Sequence, residues 1–287
     1  GETMRPTAFT LVIGVCIVAG AATAELAIVD TIPGDFTDIA ATGTPLSLDD
    51  EGTVQVACDF DPTATLFAGD GSGACWVSNN GALGFLADGA SGAFYQNGEI
   101  PNLGLFSLHQ SAQALAVYWD DLDSDTGEIY VETVGDPGER VLIVQWQDRP
   151  HYAGDDVLDG DEATFQVKIF ESGAPAHAQF IYVDVDFQDP ALDWGASATI
   201  GYQAGGHQND VQWSFDTVGA IHAGQVLSLI DALDCPEDLD GDGFVGQSDL
   251  GVLLASYGQD AGGDIDGDGD TDQADLGALL ARFNEPC

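Results

Sequence analysis

Three features of the sequence predict a mainly β protein, a β-sandwich or jelly-roll-like body followed by a small C-terminal α-helical module. Short runs rich in Val, Ile, Phe, Tyr and Trp recur between clusters of Gly, Asp, Asn and Pro, as strands separated by turns do. No helical periodicity and no repeat of solenoid or propeller length interrupts them. From residue 235 onward the character changes, and aspartate-rich segments alternate with apolar residues at helical spacing.

The first element is a leader. After Met4 and Arg5 the apolar run "FTLVIGVCIVAGAATA" ends in small residues at Ala22 and Ala24. This is the pattern of a secretory signal peptide, expected to occupy residues 1–24 and to be cleaved after Ala24. The run is shorter than the roughly 20 residues that span a bilayer, so a retained anchor is the weaker reading. The expected destination is extracellular or the cell surface, with no membrane partner once the leader is removed. Cys16 leaves with the leader, and Cys58, Cys75, Cys235 and Cys287 remain, an even number in an oxidising compartment. Sequence alone allows three pairings. Cys58 with Cys75 and Cys235 with Cys287 is favoured because each pair stays within one expected domain, and free buried thiols are the alternative.

The body, residues 25–234, contains ten strand-like segments: "TVQVA", "ACWVS", "ALAVYWD", "EIYVET", "RVLIVQWQ", "ATFQVKIF", "AQFIYVDV", "ATIGYQ", "VQWSF" and "QVLSLI". Its composition bounds the partners. With 49 Asp+Glu against 5 Lys+Arg and a net charge of −44, the chain repels nucleic-acid phosphates and anionic headgroups, and cations are the expected small partners. The same acidity also serves to hydrate an exposed surface. Asp120, Asp121, Asp123 and Asp125 are a candidate cation site or, alternatively, a solvated polar turn. Arg149, His151 and Tyr152, in "RPHY", form the most site-like group of the body. The histidines at 109, 151, 177, 207 and 222 have no metal-protease spacing, and neither a nucleophile elbow nor a Gly-rich phosphate loop is present, so an enzyme is not the leading expectation. The five tryptophans belong to the core or, in the alternative reading, to a sugar-stacking face that would make this a polysaccharide-binding or polysaccharide-hydrolysing protein.

"AVYWDDLDSDTGEIYVETVGD" at 116–136, with "VLIVQWQDRPHY" and "ATFQVKIF" after it, resembles the nidogen-like extracellular β domain of secreted bacterial proteins over residues 78–205. The resemblance implies an adhesive or matrix-type module.

The last element occupies residues 235–287. "DLDGDGFVGQSDL" at 238–250 is nearly repeated as "DIDGDGDTDQADL" at 264–276. Calcium, a hard cation, takes about six to eight oxygens, and an EF-hand loop supplies them from positions 1, 3, 5, 7, 9 and 12 around a Gly at position 6. The first copy offers Asp238, Asp240 and Asp242, then the Phe244 carbonyl and Asp249. The second offers Asp264, Asp266 and Asp268, the carbonyl of Asp270, then Asp272 and Asp275. Two calcium ions are expected, with binding linked to folding because the bare carboxylates repel one another. Leu250, Leu253, Leu254 and Tyr257 follow at helical spacing, as do Leu276, Leu279, Leu280 and Phe283, so each loop feeds one short amphipathic helix. Pro236 before the first loop and Gly262-Gly263 before the second leave no entering helix.

Duplicated loop-plus-helix units with Asp at position 12 resemble the type I dockerin domain. The resemblance implies attachment to a cohesin-like or other cell-surface or matrix protein through residues 235–287. Gln247-Ser248 and Gln273-Ala274 stand where cellulosomal members often carry a Ser/Thr pair, so calcium binding carries over more firmly than the partner. The expected whole is a secreted, non-catalytic binding or adhesion protein tethered by this module.

Overall fold

The computed structural model describes residues 26–66, 74–85, 95–101, 113–152, 162–204, 210–231, 235–240, 244–266 and 269–286. Residues 1–24, and with them the expected signal peptide, lie outside that set. Among the described residues no helix is long and apolar enough to cross a membrane.

In chain order the strands are β1 (Leu26–Val29), β2 (Thr44–Leu46), β3 (Thr53–Ala57), β4 (Ala74–Ser78), β5 (Ala82–Gly84), β6 (Ala114–Trp119), β7 (Glu128–Val134), β8 (Val141–Pro150), β9 (Glu162–Phe170), β10 (Ala178–Asp184), β11 (Thr199–Gln203), β12 (Val211–Phe215) and β13 (Val226–Asp231). A single helical turn, α1 (Thr63–Leu66), lies between β3 and β4. The strands form two antiparallel sheets, one of seven strands ordered β1-β13-β10-β9-β8-β7-β2 and one of six ordered β12-β11-β6-β5-β4-β3. Each of the ten expected segments is a strand. The expectation missed β1, β2 and β5, which have four, three and three residues and are too short to show an alternating pattern.

The sheets pack face to face over one apolar cluster. On the larger sheet, Leu142, Val144 and Trp146 of β8, with Ala163, Phe165, Val167 and Ile169 of β9, are buried in it; on the smaller, Val77, Leu115, Val117 and Ile200. Alternate residues point to opposite faces of a strand, so the period of two in "ATFQVKIF" delivers every second side chain to this layer. Trp146 and Phe165 stack with ring centroids 5.0 Å apart. Hydrogen bonds cross between the sheets as well. The Trp146 indole N–H donates to the Ser78 carbonyl at 3.0 Å, and the Tyr182 hydroxyl donates to the Val117 carbonyl at 2.7 Å.

The outer face of the larger sheet carries Gln145, Gln166 and Gln179, all buried. They are covered by the segment around residues 33–43, whose backbone they bind as a further strand would. Gln166 Oε1 accepts the Thr37 N–H at 3.2 Å and its Nε2 donates to the Thr37 carbonyl at 2.7 Å. Gln145 Oε1 accepts the Ile39 N–H at 2.9 Å, and Gln179 Nε2 donates to the Pro33 carbonyl at 3.3 Å. Buried amides on a sheet face would be costly alone; here they satisfy the strap's own backbone groups.

One expected disulfide is not formed. Cys58 and Cys75 are free thiols with sulfurs 3.7 Å apart, against about 2.05 Å for a disulfide. Val56 stands opposite Cys75 in the β3–β4 ladder, so Cys58 reaches Cys75 only diagonally from beyond the end of β3. Cys287, of the other expected pair, lies outside the described residues; Cys235 is disulfide-bonded.

After the sandwich come β14 (Phe244–Val245), α2 (Gln247–Ser256), α3 (Gln273–Ala281) and β15 (Glu285–Pro286). Val245, Leu253 and Leu279 form the centre of a separate small core, with Leu239, Leu250, Ile265, Leu276 and Phe283 around it. Leu254 and Leu280, which share the helical spacing of the apolar stripe, are 52% and 53% exposed. Among the described residues no helix enters either loop and α2 and α3 have only each other as helical neighbours, so the buried stripe of each is narrow.

Replacing Gln166 with Ala removes both hydrogen bonds to Thr37 and should lower stability by about 1–3 kcal/mol, read as a lower denaturant midpoint with faster proteolysis within residues 33–43. An unchanged midpoint and cleavage rate would show that the segment is not anchored there.

Candidate functional site

Two places gather chemistry-bearing side chains. One is an end of the sandwich, where chain reversals from both sheets meet. The turn between β4 and β5 contains Asn79, Asn80 and Gly81, and Gly81 has φ 70°. A Cβ there would lie 1.9 Å from the Tyr118 carbonyl oxygen, so only glycine fits. Its carbonyl accepts two consecutive N–H groups, from Val117 at 3.1 Å and Tyr118 at 3.0 Å. That close approach places the asparagines against the segment leaving β6. Asn80 Oδ1 accepts the Leu122 N–H at 3.1 Å, and Asn79 Nδ2 donates to the Leu122 carbonyl. The same segment pairs with the end of β8: Leu122 bridges His151, and the Tyr152 N–H donates to the Asp121 carbonyl at 2.7 Å.

The expected group Arg149, His151 and Tyr152 is thereby brought beside the expected group Asp120, Asp121, Asp123 and Asp125, but the members do different work. The buried Asp120 accepts His151 Nε2 at 3.2 Å, the Ser197 hydroxyl at 2.6 Å and the Asp121 N–H at 2.9 Å. Asp123 Oδ1 accepts the N–H groups of Ser124 at 2.5 Å and Asp125 at 3.1 Å, so it shapes its own turn. The four carboxylates do not converge on a common point. Arg149 is buried, donating to the Thr126 carbonyl at 3.0 Å and to Asn79 Oδ1. His151 has oxygens against both ring nitrogens, Asp120 at one and the Tyr152 carbonyl, 2.9 Å away, at the other. Burial opposes its charge, but those oxygens and the charges of Asp120 and Asp121 outweigh it and raise the imidazole pKa. Since the carboxylate stands between serine and histidine, no nucleophile–base pair is formed.

Asp121 and Tyr152 instead face outward, with Asp50, Glu51 and Tyr95, around an open pocket of about 390 Å³. Burial, then the charges of Glu51, Asp50 and Asp120, push the Asp121 carboxyl up to about 6, against the opposing influence of His151. Asp50 and Glu51 are also raised, each chiefly by burial. Glu51 sits at φ 59°, and its Oε2 accepts Asn80 Nδ2 at 3.1 Å and the Tyr95 N–H at 3.0 Å. Sequence reasoning missed Asp50, Glu51 and Tyr95. "DDEG" at 49–52 is an acidic stretch, but nothing local joins it to Asp121 seventy positions after Glu51. The tryptophans build no platform here: Trp119 and Trp146 are fully buried, and Trp76, Trp194 and Trp213 pack against the apolar clusters.

The second place is the C-terminal loop pair. One carboxylate oxygen from each of Asp238, Asp240 and Asp249 lies within 4.8 Å of the others, as for Asp264, Asp266 and Asp275, and for Asp270, Asp272 and Asp275. Asp242 and Asp268 lie outside the described residues. The final aspartates are buried and held identically. Asp249 Oδ1 accepts the N–H groups of Leu239 at 2.8 Å and Asp240 at 3.1 Å, and its Oδ2 that of Gly246 at 2.7 Å. Asp275 repeats this with Ile265 at 2.7 Å, Asp266 at 3.2 Å and Asp272 at 2.6 Å. Burial opposes charge on Asp249, yet the N–H groups hold its pKa below the ordinary value; at Asp275 the Asp272 N–H leads the same effect. The halves also cross. The Val245 carbonyl accepts the Asn284 N–H at 2.9 Å, beyond α3, while that of Thr271 accepts the Gly258 N–H at 2.8 Å, beyond α2. Gly258 and Asn284 both adopt left-handed backbone, φ 65° and 67°. An all-oxygen donor set of this compactness suits a hard divalent cation.

A family model described as NIDO related matches residues 28–226. No curated protein and no solved structure matches the chain.

The raised carboxyl at Asp121 makes its ionisation unfavourable to the fold, so its contribution to stability is lost as pH rises from the ordinary value of 3.8 through about 6. Asp121→Asn should therefore match wild type in melting temperature under acid conditions and exceed it increasingly across that window, the gain levelling off above. A difference that does not vary with pH would contradict the assignment.

Proposed function

The chain belongs to the NIDO-related family, and from that premise we propose a secreted, non-catalytic binding or adhesion protein whose C-terminal residues 235–287 form a calcium-dependent, dockerin-like tether. The observation that carries this reading is the duplication of the carboxylate triads, Asp238, Asp240 and Asp249 in one loop and Asp264, Asp266 and Asp275 in the other. A solvated acidic turn has no need to bury its last aspartate, whereas here both are sequestered with both oxygens engaged.

The bound cation would neutralise carboxylates that otherwise repel at short range. The protein's own share is to set their spacing: backbone N–H groups fix Asp249 and Asp275, and each helix starts directly behind its loop. The small core around Leu253 and Leu279 is modest against the entropy of ordering such a segment, so metal and fold depend on each other. A cohesin-like or other cell-surface or matrix protein is the partner class proposed for this module. The sandwich supplies the second binding function through the pocket at its end, a division of labour supported by its rigid framework and by the absence of a nucleophile–base pair among the residues gathered there.

Calorimetric titration of the chelator-treated full chain with calcium should show two ions per chain, one for each loop, and circular dichroism should show helix gained on addition. Asp264→Asn combined with Asp266→Asn should remove one of them. No uptake by the wild type, or full stoichiometry in the double variant, would sink the proposal.

A further inference from the structure

We propose that the pocket formed by Asp50, Glu51, Tyr95, Asp121 and Tyr152 binds the guanidinium group of an arginine side chain presented by a partner protein. This deepens the binding role proposed for the sandwich and rests on it.

The first argument is charge. Three carboxylates line the pocket, and although the charges of Arg149 and His151 act on Asp50 and Asp121, no described cation forms an ion pair with any of the three. The chain has only 5 Lys+Arg, and each one the structure describes is engaged elsewhere. Arg140 pairs with Glu171, and Lys168 binds the Asp35 carbonyl and the Thr37 hydroxyl. Arg282 pairs with Glu237, and Arg149 is buried against Thr126 and Asn79. His151 is committed to Asp120 and the Tyr152 carbonyl. Carboxylates left without an ion-pair partner in a partly desolvated pocket favour a cation from outside.

The second argument is the size and surface of that cation. Where carboxylates of this chain converge as a compact ion requires, their oxygens lie within 4.8 Å of one another, and among the described residues those groups are all C-terminal. The pocket's carboxylates form no such group; they border about 390 Å³ of open volume. Two tyrosine rings also line it among the described residues, Tyr95 and Tyr152, 49% and 48% exposed. A planar, weakly hydrated guanidinium uses both features, donating to carboxylates in its plane and stacking its face on a ring. An ammonium uses the charge but not the planarity, so arginine is preferred over lysine.

The third argument is preorganisation. The Glu51 carboxylate is already held by Asn80 and by the Tyr95 N–H, and the Tyr152 N–H is tied to the Asp121 carbonyl at 2.7 Å. Little ordering is left for the moment of binding.

The test titrates the full chain, with calcium present, against blocked Gly-Arg-Gly, its lysine analogue and its citrulline analogue, the last having arginine's shape without its charge. Binding should rank arginine above lysine, with none detected for citrulline. Asp121→Asn, and separately Tyr95→Ala with Tyr152→Ala, should each weaken arginine binding by about tenfold, with melting curves establishing that the variants are folded. Asp30→Asn with Asp136→Asn, exposed acidic positions elsewhere, should leave it unchanged. Equal binding of citrulline, pocket variants that bind as wild type, or displacement of the peptide by a neutral oligosaccharide would overturn the proposal. Calcium stoichiometry measured on the same sample separates a failure here from a failure of the C-terminal assignment.

Discussion

The contact between Trp146 and the Ser78 carbonyl is the constraint on which the sandwich end depends. It joins the larger sheet to the smaller at the last residue of β4, one position before the Asn79-Asn80-Gly81 reversal that holds the chain leaving β6. A buried indole must place its N–H on an acceptor, so ring packing and backbone pairing are satisfied by one geometry. Phe165, stacked on the same ring, is in turn 5.5 Å from Tyr118, whose carbonyl crowds Gly81. The positions of Asp120, Asp121, His151 and Tyr152 therefore follow from aromatic packing that belongs to the core rather than from the loops that carry them.

Charge is distributed on the opposite principle. The few cations are spent on internal tasks: Arg149 organises a turn and Lys168 fastens the N-terminal strap. Arg140 closes against Glu171, whose carboxyl is lowered to about 2 chiefly by that contact. With so few positive side chains the acidic surface is left open to solvent and counterions, and the two places where carboxylates are held in fixed geometry stand out against it. In the C-terminal loops they converge tightly around backbone N–H groups. At the sandwich end they stand apart across an open pocket beside aromatic rings. Spacing, not acidity, distinguishes the two arrangements.

The main body of the fold was legible because β-branched and aromatic runs such as "VLIVQWQ" and "ATFQVKIF" both favour strands and show their buried face directly. The duplication of the aspartate loops was legible because their spacing is local, and the likeness of Asp249 to Asp275 survived into matching hydrogen bonds. What was illegible depended on distant partners. Gln145, Gln166 and Gln179 alternate with core residues along their strands, and only the strap laid over them turns them into buried anchors. Asp50, Glu51 and Tyr95 join Asp121 through tertiary packing that no local pattern encodes. Leu254 shares the helical periodicity yet is half exposed, because helical spacing reports a stripe but not how wide a neighbour covers it. The cysteines at 58 and 75 were correctly placed near each other, yet proximity did not include the register that separates contact from a bond.

The crossed contacts of the C-terminal unit make it indivisible. Because the carbonyl in the first loop is capped by Asn284, beyond the second helix, and the carbonyl in the second by Gly258, beyond the first, each half leaves one of its loop carbonyls to be fastened by the other. A chain shortened just before Asn284 would keep both sets of aspartates and both helices, yet release the loop farther away in sequence while sparing the adjacent one. The repeat is thus a clasp with two interlocked hooks, and half of it is an unfinished object rather than a weaker one.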